Sequence, residues 1–142
     1  MDSIQVEIRS TPFNPWSELA RWGGDAAAST VFIGRVRAIA MDGQPLQALE
    51  LQHYPGLCER LVSSMVQRLQ QGHGVGPVLV IHRVGRLPPG EPIVLVAVQA
   101  DRRGAAQRCS VDLLEELKHG APFWKREWCG DQGTWLTGNT PL

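Results

Sequence analysis

Lysine is the scarcest charge in this 142-residue chain: 12 of its 14 basic residues are arginine, and only Lys118 and Lys125 carry amines. Charge of one sign is lacking too. The 14 basic residues are matched by 14 acidic ones, which disfavours a general nucleic-acid binder needing a field of one sign. Long apolar runs are missing, since the longest, Ile93 to Val98, is far short of the ~18 residues of a membrane helix. Met1-Asp2-Ser3 begins no basic leader, so export is not expected and a cytoplasmic location is. The three cysteines, Cys58, Cys109 and Cys129, are odd in number, widely spaced and without C-x-x-C, which argues against a disulfide framework or a structural zinc site. Four histidines (His53, His73, His82, His119) show no H-x-x-x-H spacing, so no metal site is expected. There is no G-x-G-x-x-G, Walker or G-x-S-x-G motif, which removes the main support for nucleotide-fold and acyl-hydrolase readings. No repeat or linker divides the chain, and residues 1–142 read as one domain.

What is present begins with alternation. Ile4, Val6 and Ile8 against Gln5, Glu7 and Arg9 predict a strand over Ile4 to Ser10. Asn14-Pro15 opens a short helix through Trp16, Leu19 and Trp22 that Gly23-Gly24 stops. Ser29 to Ala40 reads as a strand that Asp42-Gly43 turns back into Leu46 to His53 as a hairpin, with Val31, Ile33, Arg35 and Arg37 on one face. Leu57, Leu61, Met65 and Leu69 predict an amphipathic helix ended by Gly72. Val78 to Val84 and Ile93 to Ala100 are strands on either side of the breaker Leu87-Pro88-Pro89-Gly90. A second long helix runs from about Gly104 to Lys118 with Gly120 as its cap, and Phe123 to Trp128 with Thr134 to Leu136 form a terminal hairpin. With more β-β than β-α-β steps, the class is α+β with a largely antiparallel or mixed sheet.

The neutral total hides a local imbalance, because Arg102 to Arg126 holds six basic residues against three acidic ones. Lys118 ends a helix and Lys125 follows a reversal through Gly120-Ala121-Pro122, so both amines can reach one pocket. Phe123, Trp124 and Trp128 are expected to wall Lys125, and desolvation with a second ammonium nearby lowers an amine's pKa toward neutrality. Solvated surface lysines are the plain alternative. Arg102-Arg103, between a strand and a helix N-terminus, suits a phosphate or carboxylate, the alternative being pairing with Glu91, Asp101 or Asp112. Cys58 and Cys109 fall on apolar helix stripes and read as buried hydrophobes.

Four stretches stand out together: Val31-Phe32-Ile33-Gly34-Arg35-Val36-Arg37, Leu49 to Gly56, Val80-Ile81-His82-Arg83-Val84-Gly85 with Pro89-Gly90-Glu91, and above all Leu117-Lys118 through Ala121-Pro122-Phe123-Trp124-Lys125-Arg126-Glu127. In this order they resemble one family, the large catalytic subunit of molybdopterin synthase. The resemblance implies an α/β-hammerhead with an additional small antiparallel β subdomain, acting as a homodimer without a cofactor. It implies Lys118 and Lys125 as the catalytic pair, and Arg35, Val36, Arg37, Arg102, Arg103, Arg126 and Glu127 as substrate-binding residues. Arg102 stands where many relatives have histidine, which retains anion binding. The implied reaction takes sulfur from the C-terminal Gly-Gly thiocarboxylate of a small ubiquitin-like partner and delivers it to cyclic pyranopterin monophosphate. The reading from another class is a non-catalytic phosphate- or RNA-binding module, with arginines on phosphates and Trp124 or Trp128 stacking bases.

Overall fold

The computed structural model describes residues 3–121 and 123–136. Its elements run β1 (Ile4–Arg9), α1 (Pro15–Trp22), β2 (Ala28–Arg35), β3 (Ala48–His53), α2 (Leu57–His73), β4 (Val78–Arg83), β5 (Gly85–Leu87), β6 (Pro92–Ala100), α3 (Arg103–Gly120), β7 (Phe123–Cys129) and β8 (Gln132–Trp135). They form an α+β architecture of two four-stranded sheets, in the orders β1-β4-β6-β2 and β5-β3-β7-β8.

The first sheet is mixed: β1 lies parallel to β4, while β4 with β6 and β6 with β2 are antiparallel. Its strands are apolar on both faces because both are covered. Val78, Val80, Val96 and Val98 meet α2 and α3 through Val62, Val66, Cys109 and Leu113, and Ile4, Val6 and Ile8 pack against the same cluster. On the reverse face Leu79, Ile81, Leu95 and Ala97 meet Phe13, Leu19 and Trp22. Asn14 caps α1 through its side-chain carbonyl, which accepts from the Trp16 and Ser17 amides at 2.9 and 3.3 Å. Cys58 and Cys109 are fully buried, and burial pushes both thiols up to about 11, as small core hydrophobes require.

The second sheet is wholly antiparallel. Leu51 and Leu87 on its inner side join Val36, Ala40, Leu46 and Val84 in a separate core. Burying a leucine this completely contributes roughly 1.5–3 kcal/mol.

Here the fold departs from periodicity. The chain does reverse at Asp42-Gly43, where Gly43 takes φ +88° and Ile39 bridges Pro45, yet no hairpin follows. β2 stops at Arg35 and pairs with β6, whereas β3 pairs with β5 and β7 in the other sheet. Each strand has its apolar residues in a different place, Ile33 beside Leu95 and Ala97 and Leu51 beside Leu87 and Val36, and a local turn signal does not outweigh such tertiary packing. A short strand not expected from the sequence, β5, runs up to the breaker and shares Leu87 with it, and that leucine is wholly buried. α2 continues past Gly72 to a left-handed Gly74, whose N–H donates to the Gln70 carbonyl. α3 includes Gly120 and is capped by Ala121 in extended conformation. No helix among the described residues is long and apolar enough to cross a membrane.

Candidate functional site

A cleft of about 530 Å³ opens where the two sheets and the C-terminal end of α3 meet. Four structural devices place charged side chains around it.

The first is the register of β7 on β3. Leu51 lies opposite Lys125 and Leu49 opposite Glu127, so Phe123, Lys125 and Glu127 share the inner face of the second sheet. The second is the end of α3, where Leu117 is anchored in the main core and Lys118 follows in the turn favoured for a cation. Lys118 and Lys125 both line the cleft. Burial pushes the Lys125 amine below the usual lysine range, and the charge of Lys118 pushes it in the same direction. The two lysines of the chain thus meet in one half-desolvated site.

The third device is a register shift between Gly34 and Arg35. Ile33 faces the α1 side of the sheet, while Phe32 and Gly34 line the cleft. Gly34 pairs with Val94 and Arg35 with Pro92, so the extra residue, Ile93, lies on β6 and joins Val94 on the cleft wall; β2 ends there, and Arg35 and Arg37 both line the cavity. Gly34 keeps this wall thin, since a Cβ there would meet Val94 Cγ1 at 3.0 Å and the Phe32 ring at 3.2 Å. The fourth is Glu127, whose two carboxylate oxygens each lie 3.1 Å from the donating Met41 amide. It ties down the loop over 36–47, which carries Arg37, Ile39 and Met41 to the rim.

Other residues singled out from sequence lie elsewhere. Val36 is buried in the second core, its amide donating to the Glu91 carbonyl and its carbonyl accepting from Gly90, both at 2.9 Å. Arg126 occupies the opposite face of β7 from Lys125, where its guanidinium pairs with Glu50 at 3.0 Å and stacks on the Trp128 and Trp135 rings. Trp124 and Trp128 share that outer face, so they do not wall Lys125; Phe123 does. Arg102 and Arg103 are exposed at the start of α3 and do not line the cleft. Of the acids considered as their partners, Glu91 pairs with Arg83 and Asp112 with His73, each at 2.8 Å.

One lining residue escaped the sequence reading. His82 is buried at the end of β4, stacks on Phe123 with ring centroids 3.9 Å apart, and has its Nδ1 2.9 Å from the Arg83 carbonyl. Burial holds its pKa down at about 4, with Lys125 and His53 adding to the effect. The available signal was a histidine directly after the apolar run Val78 to Ile81 in the same strand.

The arrangement concentrates cations around a partly apolar cavity that holds two amines, and burial lowers the pKa of one of them, Lys125, and of His82. Such a site suits anionic reactants and proton transfer.

Known proteins share this architecture. The sequence model of the MoaE protein family matches residues 8–120. The molybdopterin synthase catalytic subunit of Ralstonia nicotianae is 42% identical over 134 residues, covering 92% of this chain and 76% of that one. That of Cereibacter sphaeroides is 35% identical over 136 residues, covering 94% and 91%. Among solved structures, the molybdopterin biosynthesis MoaE protein from Burkholderia ambifaria superposes with a TM-score of 0.79 at 31% identity, covering 94% of this chain and 89% of that one. With the family matched over most of its length, this chain belongs to the MoaE protein family.

Proposed function

We propose that this protein is the catalytic subunit of a molybdopterin synthase, working in the cytoplasm as one domain and as a homodimer. It takes sulfur from the thiocarboxylated C-terminal Gly-Gly of a small ubiquitin-like subunit and transfers it to cyclic pyranopterin monophosphate, building a dithiolene. The observation that carries this reading is the meeting of Lys118 and Lys125 in one cleft with Arg35 and Arg37.

The chemistry asks for this inventory. A thiocarboxylate sulfur is already anionic and nucleophilic, so the enzyme needs no nucleophile of its own. Attack on a substrate carbon displaces an oxygen substituent from that carbon, which leaves with a proton, and gives a thioester; water then cleaves the acyl carbon–sulfur bond, leaving sulfur on the substrate and a carboxylate on the partner. Each stage develops negative charge on oxygen, which the two ammonium groups stabilise in a site with little water. The guanidinium groups of Arg35 and Arg37 hold the substrate phosphate or the incoming tail. An amine whose pKa is lowered, as at Lys125, exchanges a proton with the departing oxygen more readily than an ordinary lysine. On the outer face of β7, Trp128 is already stacked with Arg86 and Arg126, which speaks against it as a platform for a base.

Replacing Lys118 or Lys125 by alanine is expected to lower sulfur transfer by ~100-fold or more with the fold intact. Lys125→Arg retains charge but cannot release a proton near neutral pH, so it is expected to fail as well. Single-turnover conversion of the pterin precursor with thiocarboxylated partner measures both. Near-native turnover in Lys125→Arg removes the proton-transfer role, and near-native turnover in both alanine variants removes the reading.

A further inference from the structure

We infer that Arg83 and Glu91 are positioning residues for the arginines of the cleft: their ion pair fixes the turn over 88–91, and the backbone of that turn clamps Val36 and so sets where Arg35 and Arg37 stand. This deepens the proposed function and rests on its assignment of those arginines to the anionic reactant.

The turn follows from its sequence. Pro89 and Gly90 fill the two central positions, Gly90 takes φ +88°, and the Glu91 amide donates to the Pro88 carbonyl at 3.3 Å, as in a type II turn. Directly after it, Pro92 lies opposite Arg35 and has no N–H to give. The turn takes over from the strand there. Val36 donates to the Glu91 carbonyl and accepts from the Gly90 amide, both at 2.9 Å, so consecutive turn residues hold both of its backbone polar groups. Its side chain, buried in the second core, fixes it from a third side. Arg35 and Arg37 are its two chain neighbours, and both line the cleft.

Arg83 is what holds the turn. From the end of β4 its guanidinium donates to the Glu91 carboxylate at 2.8 Å, and its side chain is only 8% exposed. Arg9, the register partner of Arg83 on β1, is engaged by Glu7 and Glu18 instead. Glu91 is thus the counter-charge of a cation buried in the first sheet, and it cannot swing away without stranding that cation. The pair ties a surface turn to the core, and the turn passes that placement on to the two guanidinium groups in the cleft.

The test combines steady-state sulfur transfer to the pyranopterin monophosphate with hydrogen exchange at single amides of the free protein. Glu91→Ala cuts the tether and is expected to raise KM for the pterin substrate about 10-fold, with kcat changed by less than about 2-fold. The Val36 and Gly90 amides should exchange roughly 10-fold faster or more, while Val80 in the first sheet keeps its native rate. Glu91→Gln retains an acceptor for Arg83 and should recover part of both effects. Because Glu91→Ala strands a buried cation and risks the fold, the double variant Arg83→Met/Glu91→Ala removes both charges; it should fold and show the same raised KM. A purely structural role would speed exchange at Val80 along with Val36 and lower kcat. Native KM in the folded double variant, or native exchange at its Val36 amide, overturns the inference. Arg35→Ala and Arg37→Ala separate the two levels. If neither raises KM, the proposed role of the arginines fails and the positioning role falls with it; if either does while the double variant stays native, the tether alone is wrong.

Discussion

Glu18 sits where α1 meets β1 and is held from two sides: its carboxylate accepts from Arg9 at 2.6 Å and pairs with Arg21 at 2.5 Å. The Arg9 hydrogen bond first, then the Arg21 one, lowers its pKa to about 2. Because the folded-state pKa lies below the unfolded one, the stabilisation is fully present above about pH 4.5 and is lost as pH falls toward 2. Arg21 is largely exposed, so solvent screens part of the gain. Glu18→Gln is therefore expected to cost about 1–2 kcal/mol at pH 7. In urea denaturation the two proteins should converge near pH 2; a gap that persists there would mean the residue acts through packing. The same scale explains why Arg126 differs from Lys125 although they are neighbours in sequence. Consecutive strand residues point to opposite faces, and on the outer face Glu50 and two indoles engage the guanidinium. The inner face leaves Lys125 in the cleft.

At the scale of elements, the ends of the loop over 36–47 are fixed by backbone bonds of Val36 and Gln47, and its middle is held by a side chain from another strand. Glu127 is the acceptor for the Met41 amide, and that loop brings Arg37, Ile39 and Met41 to the cleft rim. A charge-assisted hydrogen bond of this type contributes roughly 1.5–3 kcal/mol locally. Glu127→Ala should thus raise the substrate KM about 5- to 10-fold while leaving global stability nearly unchanged. Hydrogen exchange at the Met41 amide separates this from direct loss of a substrate contact: exchange should speed up at least 10-fold, and unchanged protection would show that the loop does not rely on Glu127. β2 makes a related point. The period of two was legible in Val31-Phe32-Ile33, but the end of the strand at the irregularity after Gly34 was not, and beyond it strand alternation no longer decides where Arg35 and Arg37 face; both line the cleft.

For the whole molecule, the position of Arg102 and Arg103 decides what a complete site requires. They begin α3 and Lys118 nearly ends it, a separation of ~25 Å along a helix of 18 residues. Both arginines lie outside the cleft that Lys118 lines. If they serve the reaction, a two-fold partner must supply them. Lys118→Ala refolded together with the double variant Arg102→Ala/Arg103→Ala tests this. Random pairing makes about half the dimers mixed, each with one intact site, so about a quarter of native activity should return. Mixed dimers verified by different tags but without activity would assign the arginines no part in a shared site.

The local grammar of the chain was readable in one dimension: where Asn14-Pro15 starts a helix, where alternation makes β1, where four-residue spacing makes α2, and which two residues are lysines. These follow from interactions between near neighbours, and so did the burial of Cys58 and Cys109 on helix stripes. The resemblance carried by Leu117 to Glu127 pointed to the amines and to the family. Which strands pair was settled only by packing in three dimensions. The Asp42-Gly43 turn is real, yet β2 and β3 part company because Leu51 has its burial site beside Leu87 and Val36, while β2 completes the ladder of β6. His82 likewise read as one more strand residue until folding laid it on Phe123 beside Lys125. Periodicity names the residues that share a face; it carries no information about what that face meets, because the contact is made by segments far apart in the chain.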